Sequence, residues 1–271
     1  MKKRVIAAAA LLPLLLIVVL VLPKIYTAVL FGFMAAIGAY ELLWGTKLVK
    51  KRRLVVYAMI MAFLVALWSG LGADESVALL GVLAFSCFLF GELLLTHTKM
   101  PFESIAMTLV AGILIPFFLT SLVRLHSWAY GRPLILLPFV VAFLSDTGAY
   151  FAGRAFGKHK LAPVISPNKT IEGMFGGVVA AVVGVLIYCV VLQLTMGFRV
   201  QYLYVPVYGI LGSIGAVFGD LIFSAVKRQT GIKDYSNLIP GHGGILDRFD
   251  SMVIVAPLTE VLIHFIPLVV K

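Results

Sequence analysis

Residues 204–250 read YVPVYGILGSIGAVFGDLIFSAVKRQTGIKDYSNLIPGHGGILDRFD. The first half, to Val226, is long and apolar enough for a helix across the hydrocarbon core, which takes roughly 20 residues. From Asp220 onward the character changes. Four aspartates (Asp220, Asp234, Asp247 and Asp250), the Lys227-Arg228 and Lys233-Asp234 pairs, His242 and a Gly-His-Gly-Gly turn fall within about thirty residues. A chain that carries this much charge against an apolar background uses it, because charge at membrane depth is costly and by default functional. The remaining sequence reads as a scaffold holding this segment at a membrane surface.

That background is extreme. Of 271 residues, 62% are hydrophobic and 13% charged, with a mean hydropathy of +1.08. Soluble domains run at about 45–50% apolar and about 25% charged. The composition therefore predicts an all-α, polytopic integral membrane protein with no room for a sizeable soluble domain. The net charge of +10 lies in short segments between apolar runs. It fits membrane topology and binding of phosphates or anionic headgroups, and argues against a nucleic-acid partner. Cys87 and Cys189 each sit inside an apolar run and support neither a disulfide framework nor a metal site.

Nine spans are expected, at about 5–22, 25–44, 54–70, 76–96, 104–123, 133–152, 173–196, 204–226 and 250–270, by the length that crosses a bilayer. Lys2, Lys3 and Arg4 followed by an apolar run resemble a signal peptide, but the run is long and lacks a small-residue cleavage site, so it is read as a retained first span. Pro13 and the short Pro23-Lys24 link leave a re-entrant hairpin as the alternative for the first pair. With the N-terminus in the cytoplasm, 17 of the 22 Lys and Arg residues fall on the cytoplasmic side, as the positive-inside rule expects. Lys24, Arg124, Arg132, Arg199 and Lys271 remain opposite. Trp44, Trp68 and Trp128 lie near span ends, as interfacial aromatics do. The expected organisation is an N-terminal scaffold region, 1–130, with possible dimer contacts, and a C-terminal catalytic region, 131–271, with cytosolic loops 153–172 and 228–248.

In this arrangement five carboxylates from four helices approach one membrane face: Asp146, Glu172, Asp220, Asp247 and Asp250. Asp220, Ser224 and Lys227 or Arg228 share one face of a helix by their spacing. Snorkelling accounts for Lys227 and Arg228 alone, but not for Asp220 two turns deeper. The Gly243-Gly244 turn allows close backbone approach to a phosphate. Asp247 and Asp250, at i and i+3, read either as a helix cap with dipole-favoured acids or as oxygen ligands for Mg²⁺, an ion held by one or two carboxylates plus substrate phosphates. The two readings are compatible, and Asp220 adds a third carboxylate from a neighbouring helix. Ser145 and Thr147 are explained as well by a cap or an interhelical hydrogen bond as by function. Lys158 and Lys160 serve topology or lipid contact equally well, whereas Lys169 and Thr170 adjoin the helix start at Glu172, a natural anion site. His97, His126 and His264 are isolated, and Glu92 and Glu260 take no assignment.

The run Ser224-Ala-Val-Lys227-Arg228, Lys233-Asp234-Tyr-Ser236 and Pro240-Gly-His242-Gly-Gly244-Ile-Leu-Asp247-Arg248-Phe-Asp250 strongly resembles the signature of the phosphatidate cytidylyltransferase (CDP-diacylglycerol synthase) family, with spacing intact. Ser145-Asp146-Thr-Gly-Ala-Tyr150 and Lys169-Thr-Ile-Glu172-Gly173 resemble recurrent segments of the same family. The specific resemblance covers roughly 145–250; earlier residues match only as apolar helices. It implies the reaction CTP + phosphatidate → CDP-diacylglycerol + pyrophosphate with Mg²⁺, in a multi-pass helical fold, commonly a homodimer, with its site open to the cytosol.

On that basis Asp220 and Asp247 are expected to hold the metal, with Asp250 and Asp146 as further ligands or support, and a second cation is compatible with the set. Lys227, Arg228, Lys233 and Arg248 neutralise phosphates, with Asp234 beside them. Ser224, His242, Gly243, Gly244, Lys169, Thr170, Glu172, Ser145 and Tyr150 complete the substrate surface. The rival readings are a CTP-dependent polyprenol-type lipid kinase, which releases CDP, and an ion-coupled transporter, whose acids sit near the midplane among internal repeats. The compact chain points to a bacterial inner membrane.

Overall fold

The computed structural model describes residues 13–96, 99–128, 131–239, 241 and 243–270. Lys2, Lys3, Arg4, His97, Pro240, His242 and Lys271 lie outside the described residues. The chain forms two compact units, Met1–Ala129 with Gln229–Arg248, and Tyr130–Arg228 with Phe249–Lys271. Among the described residues seven helical stretches are long and apolar enough to cross a membrane: Lys24–Gly45, Arg52–Leu71, Glu75–Leu95, Phe102–His126, Gly131–Phe156, Ile171–Met196 and Tyr202–Gln229.

In the first unit, α1 (13–20) leads to α2 (Lys24–Tyr40), which continues as a π-helical turn, Glu41–Gly45. The buried face of α2 is built of Thr27, Ala28, Phe31, Gly32, Ala35, Ala36, Gly38 and Ala39. Small residues let neighbouring backbones close in, the usual basis of helix association in lipid. A Cβ on Gly32 would meet the Phe63 ring at 2.8 Å, so α3 (Arg52–Leu71) packs directly on α2. Gly72, at φ +64°, ends α3 in the left-handed region that glycine adopts without cost. Asp74 then caps α4 (Glu75–Leu95) through Ser76 N at 2.8 Å. The Ser76 amide and hydroxyl hold the Asp74 carboxyl below the usual carboxylate range.

The fourth long stretch is not a continuous α-helix. It comprises α5 (Phe102–Leu109), a π turn at Val110–Leu114, α6 (Ile115–Leu119) and α7 (Ser121–His126). Gly112, inside the π turn, lies against α3, where a Cβ would meet Ala58 Cα at 3.2 Å. Polar side chains at this end satisfy one another: Ser69 Oγ donates to Thr120 Oγ1 (3.2 Å), and Thr27 Oγ1 lies 3.2 Å from His126 Nδ1.

The second unit starts with α8 (Gly131–Leu134) and α9 (Leu137–Phe156). α9 and α10 (Ile171–Met196) meet along a glycine seam. A Cβ on Gly148 would meet Gly176 O at 2.7 Å, one on Gly173 would meet Ala149 O at 2.8 Å, and one on Gly177 would meet Ser145 O at 2.8 Å. Backbone-to-backbone contact of this kind fixes both rotation and depth of the two helices. The expected loop 153–172 is partly ordered: α9 runs on to Phe156, and β1 (Lys160–Ala162) pairs antiparallel with β2 (Ser166–Thr170). α11 (Val205–Gln229) follows β3 (Arg199–Val200) and a short 3₁₀ turn at Tyr202–Tyr204.

The expected span 250–270 is shorter than a bilayer crossing. After α12 (Leu246–Phe249), α13 covers Met252–Phe265, and the chain ends as β4 (Val269–Val270), paired antiparallel with β3. Pro267 accounts for the stop, since the residue before a proline is driven out of the helical region; Ile266 sits at φ −135°, ψ 71°.

Candidate active site

In the second unit the glycine seam sets Asp146, on α9, beside the N-terminus of α10. Thr170 caps that helix, accepting from Gly173 N at 3.1 Å. Glu172 turns back over the hairpin: it accepts from Lys158 N (3.1 Å) and His159 N (3.2 Å), and one oxygen lies 2.6 Å from His159 Nδ1. The hairpin then delivers Lys169 inward. Its Nζ lies 2.5 Å from Asp220 Oδ2, and this buried ammonium has no aligned hydrogen bond among the described residues. Ser224, one turn on from Asp220, donates to Asp220 Oδ1 at 3.0 Å.

Asp250 enters the same cluster from the start of α13. It interacts electrostatically with Asp220, Lys227 and Asp146. Gly219 makes the approach possible, because a Cβ there would meet Asp250 O at 2.7 Å and Ser251 Cα at 3.1 Å. Three carboxylates and two ammonium groups thus share one locality. Beside them a cavity of about 210 Å³ is lined by Asp146, Tyr150, Lys169, Thr170, Gly173 and Val217. Arg228 is exposed and donates through Nε to Ile165 O at 3.1 Å, and Arg154 donates to the Tyr150 hydroxyl at 3.2 Å. Ser145 is fully buried, with its Oγ 2.7 Å from Ser213 Oγ on α11, so its hydroxyl joins two helices.

In the first unit, the segment 229–248 carries the other half of the motif. Asp247 is only 7% exposed, and its Oδ2 accepts from Tyr235 N (2.8 Å) and Gly244 N (2.9 Å). Gly243 has φ +83°, and a Cβ on it would meet Asp247 Oδ2 at 2.8 Å. A second carboxylate, absent from the sequence reading, completes the turn. Glu41 is 1% exposed and accepts from Ser236 Oγ (2.6 Å), Ile245 N (3.0 Å) and Leu246 N (2.8 Å). Three successive N–H groups, Gly244 to Leu246, therefore point at protein carboxylates. Lys233, Asp234 and Arg248 are exposed. The signal for Glu41 was an acid inside the apolar run 25–44, which membrane energetics marks as functional by default.

The carboxylates suit a hard divalent cation, which prefers oxygen ligands. Among the described residues no three Asp, Glu, His or Cys side chains gather closely enough to hold an ion alone. A site of one or two carboxylates completed by substrate phosphates is the arrangement magnesium ordinarily adopts.

A polytopic helical frame with clustered carboxylates and cations beside a cavity defines a membrane enzyme for phosphate-bearing substrates. The chain belongs to the cytidylyltransferase family, whose model matches residues 2–266. The family likeness thus extends well beyond residues 145–250. A protein named phosphatidate cytidylyltransferase in Bacillus subtilis (strain 168) is 34% identical over 267 residues, covering 95% of both chains. Proteins of the same name in Staphylococcus epidermidis and Staphylococcus haemolyticus are each 35% identical, over 86% and 88% of this chain and 88% and 90% of their own lengths.

Proposed function

We propose that this chain transfers the cytidylyl group of CTP to phosphatidate, giving CDP-diacylglycerol and pyrophosphate for phospholipid synthesis. The observation that carries the reading is full-length likeness to proteins named for that reaction, at 95% coverage in both directions for the Bacillus subtilis relative. A phosphatidate phosphate oxygen attacks the α-phosphorus of CTP; the α–β bridging bond breaks, and its electron pair leaves with pyrophosphate. The nucleophile is already anionic near neutral pH, so no general base is needed. Transfer of this type depends on positioning and on neutralising charge.

Lys169, Lys227, Arg228, Lys233 and Arg248 are assigned to the phosphates. Thr170, Tyr150, Ser224 and the Gly243-Gly244 turn shape the substrate surface. Asp220 with Asp250 or Asp146 would hold Mg²⁺ together with substrate phosphates, with Asp247 assigned on its place in the motif. Bound there, the ion supplies Lewis-acid neutralisation of phosphate charge. The chain is assigned to a bacterial inner membrane, as a homodimer, with the reaction at the cytoplasmic face where CTP is available.

Pyrophosphate release from the purified protein tests the reading. It is expected with CTP and phosphatidate together and absent with either alone. Release of CDP in place of pyrophosphate would instead make the chain a lipid kinase, and no turnover of CTP would remove the enzyme reading.

A further inference from the structure

Glu41 occupies an unusual position for a carboxylate. It lies in an otherwise apolar helical stretch, 1% exposed, and opens a π-helical turn. Burying a charge is costly unless hydrogen bonds replace its hydration. Among the described residues, the hydrogen bonds of the Glu41 side chain go to one distant segment: Ser236 Oγ, Ile245 N and Leu246 N. The surrounding packing has the same target. A Cβ on Gly45 would meet Tyr235 O at 2.5 Å, and one on Gly38 would meet Leu246 Cδ2 at 3.2 Å. A Cβ on Gly244 would collide with the Glu41 carboxylate itself. π turns of this kind appear mostly as single insertions and frequently at functional sites. Here the widened turn, together with two glycines, brings one acid against the segment 235–246.

Both ends of that segment are thereby fixed. Asp247 ties Tyr235 N to Gly244 N, and Glu41 ties Ser236 to Ile245 N and to Leu246 N at the start of α12. The exposed side chains Lys233, Asp234 and Arg248 flank the tied region. We propose that Glu41 is a positioning residue for cytidylyl transfer. It ties Ser236 to Ile245 and Leu246, so that these flanking side chains meet the substrate phosphates without first having to be ordered. The inference rests on the reading above, in which Lys233 and Arg248 neutralise those phosphates. Preset geometry of this kind matters because displacement by about 1 Å can cost about a hundredfold in rate.

Glu41→Gln is the sharpest probe. It is isosteric, but its NH₂ cannot accept from the backbone N–H groups that Glu41 satisfies. Steady-state kinetics are measured on the monodisperse, full-length protein in mixed micelles of phosphatidate, alongside Lys233→Ala and Ser236→Ala. The expected result is a kcat about 10- to 100-fold lower per folded Glu41→Gln molecule, with KM for CTP within about threefold. A residue that only stabilised the fold would lower the yield of folded protein and leave kcat per folded molecule unchanged. That outcome, with Lys233→Ala impaired, overturns the positioning role and leaves the site assignment standing. If Lys233→Ala is also fully active, the site assignment itself fails. Should Glu41→Gln not fold, Ser236→Ala decides, since it removes one donor only. A kcat about 3- to 10-fold lower supports the inference, by the usual size of one lost hydrogen bond, and an unchanged kcat overturns it.

Discussion

Lys169 Nζ lies 2.5 Å from Asp220 Oδ2, linking the end of the β1–β2 hairpin to α11 well inside the second unit. Each partner is about three-quarters buried, with 22% and 26% of its side chain exposed. Removing one member of such a pair leaves the other as an uncompensated charge, which is costlier than losing both. Asp250 already faces the negative charge of both Asp220 and Asp146. Asp220→Asn is therefore expected to lower the unfolding midpoint, and in the protein that stays folded pyrophosphate release falls by about a hundredfold or more, the scale of losing one preorganised electrostatic group. Near-normal turnover by the variant would remove Asp220 from the chemistry.

The proposed metal dependence rests on the same carboxylates. With only one or two of them available per ion, substrate phosphates must complete the shell. Chelation with EDTA is expected to abolish turnover and added Mg²⁺ to restore it. Asp250→Asn should raise the Mg²⁺ concentration giving half-maximal rate by about tenfold, the lower end of what loss of a metal-supporting group costs. Binding of Mn²⁺ as a spectroscopic probe, followed without substrates, should weaken in parallel. Unchanged Mn²⁺ affinity in both Asp220→Asn and Asp250→Asn would place the ion elsewhere.

Seven of the nine expected spans were legible in the sequence, because lipid demands long apolar runs and one pattern satisfies that demand whatever the packing; the first expected span, 5–22, lies partly outside the described residues. Lys169 was legible as an anion-site residue, but its pairing with Asp220 was not. That contact depends on a two-stranded hairpin, β1–β2, whose short strands leave no periodic trace. Glu41 went unassigned because a single acid in an apolar run carries no spacing to interpret; its meaning lies in Ser236, Ile245 and Leu246, about two hundred residues away in the chain. The shortness of the last helix was hidden for a related reason. Hydropathy continues to Val270, while Pro267 ends the helix before it.

The α9–α10 seam should be intolerant of bulk. A Cβ on Gly176 would collide with Ala152, and the Gly148 carbonyl lies 3.1 Å from it. Gly176→Leu must therefore push the helices apart and carry Asp146 away from Lys169 and Thr170. Overpacking of this sort typically costs about 1–3 kcal/mol. The expected outcome is a lower unfolding midpoint in detergent together with loss of turnover in the fraction that stays folded. The same substitution at Gly197, where a Cβ meets nothing within 4 Å, adds no clash but is strained by φ +68°. It should lower the midpoint without selectively lowering kcat. Equal effects on kcat at both positions would show that the seam does not position the site.

Orientation in the membrane can be read from two exposed basic residues of the second unit. Lys158 precedes β1, and among the described residues only its backbone N–H is engaged, by Glu172. Its side chain is free to change without disturbing that bond. Arg199 belongs to β3, beyond the far end of the 26-residue α10. A helix of that length spans about 39 Å at 1.5 Å per residue, enough to separate its two ends across the hydrocarbon core. Cys189 is buried, so a Cys87→Ala background leaves no exposed thiol among the native cysteines. In that background Lys158→Cys is expected to react with a membrane-impermeant maleimide only in inside-out vesicles, and Arg199→Cys only in right-side-out ones. With the N-terminus placed in the cytoplasm, 17 of the 22 Lys and Arg residues fall on the cytoplasmic side, and this polarity is the one expected. The reverse labelling pattern would put Lys169, Asp220 and the cavity beside Lys169 on the side of the membrane that CTP does not reach, and the proposed reaction would lose its nucleotide.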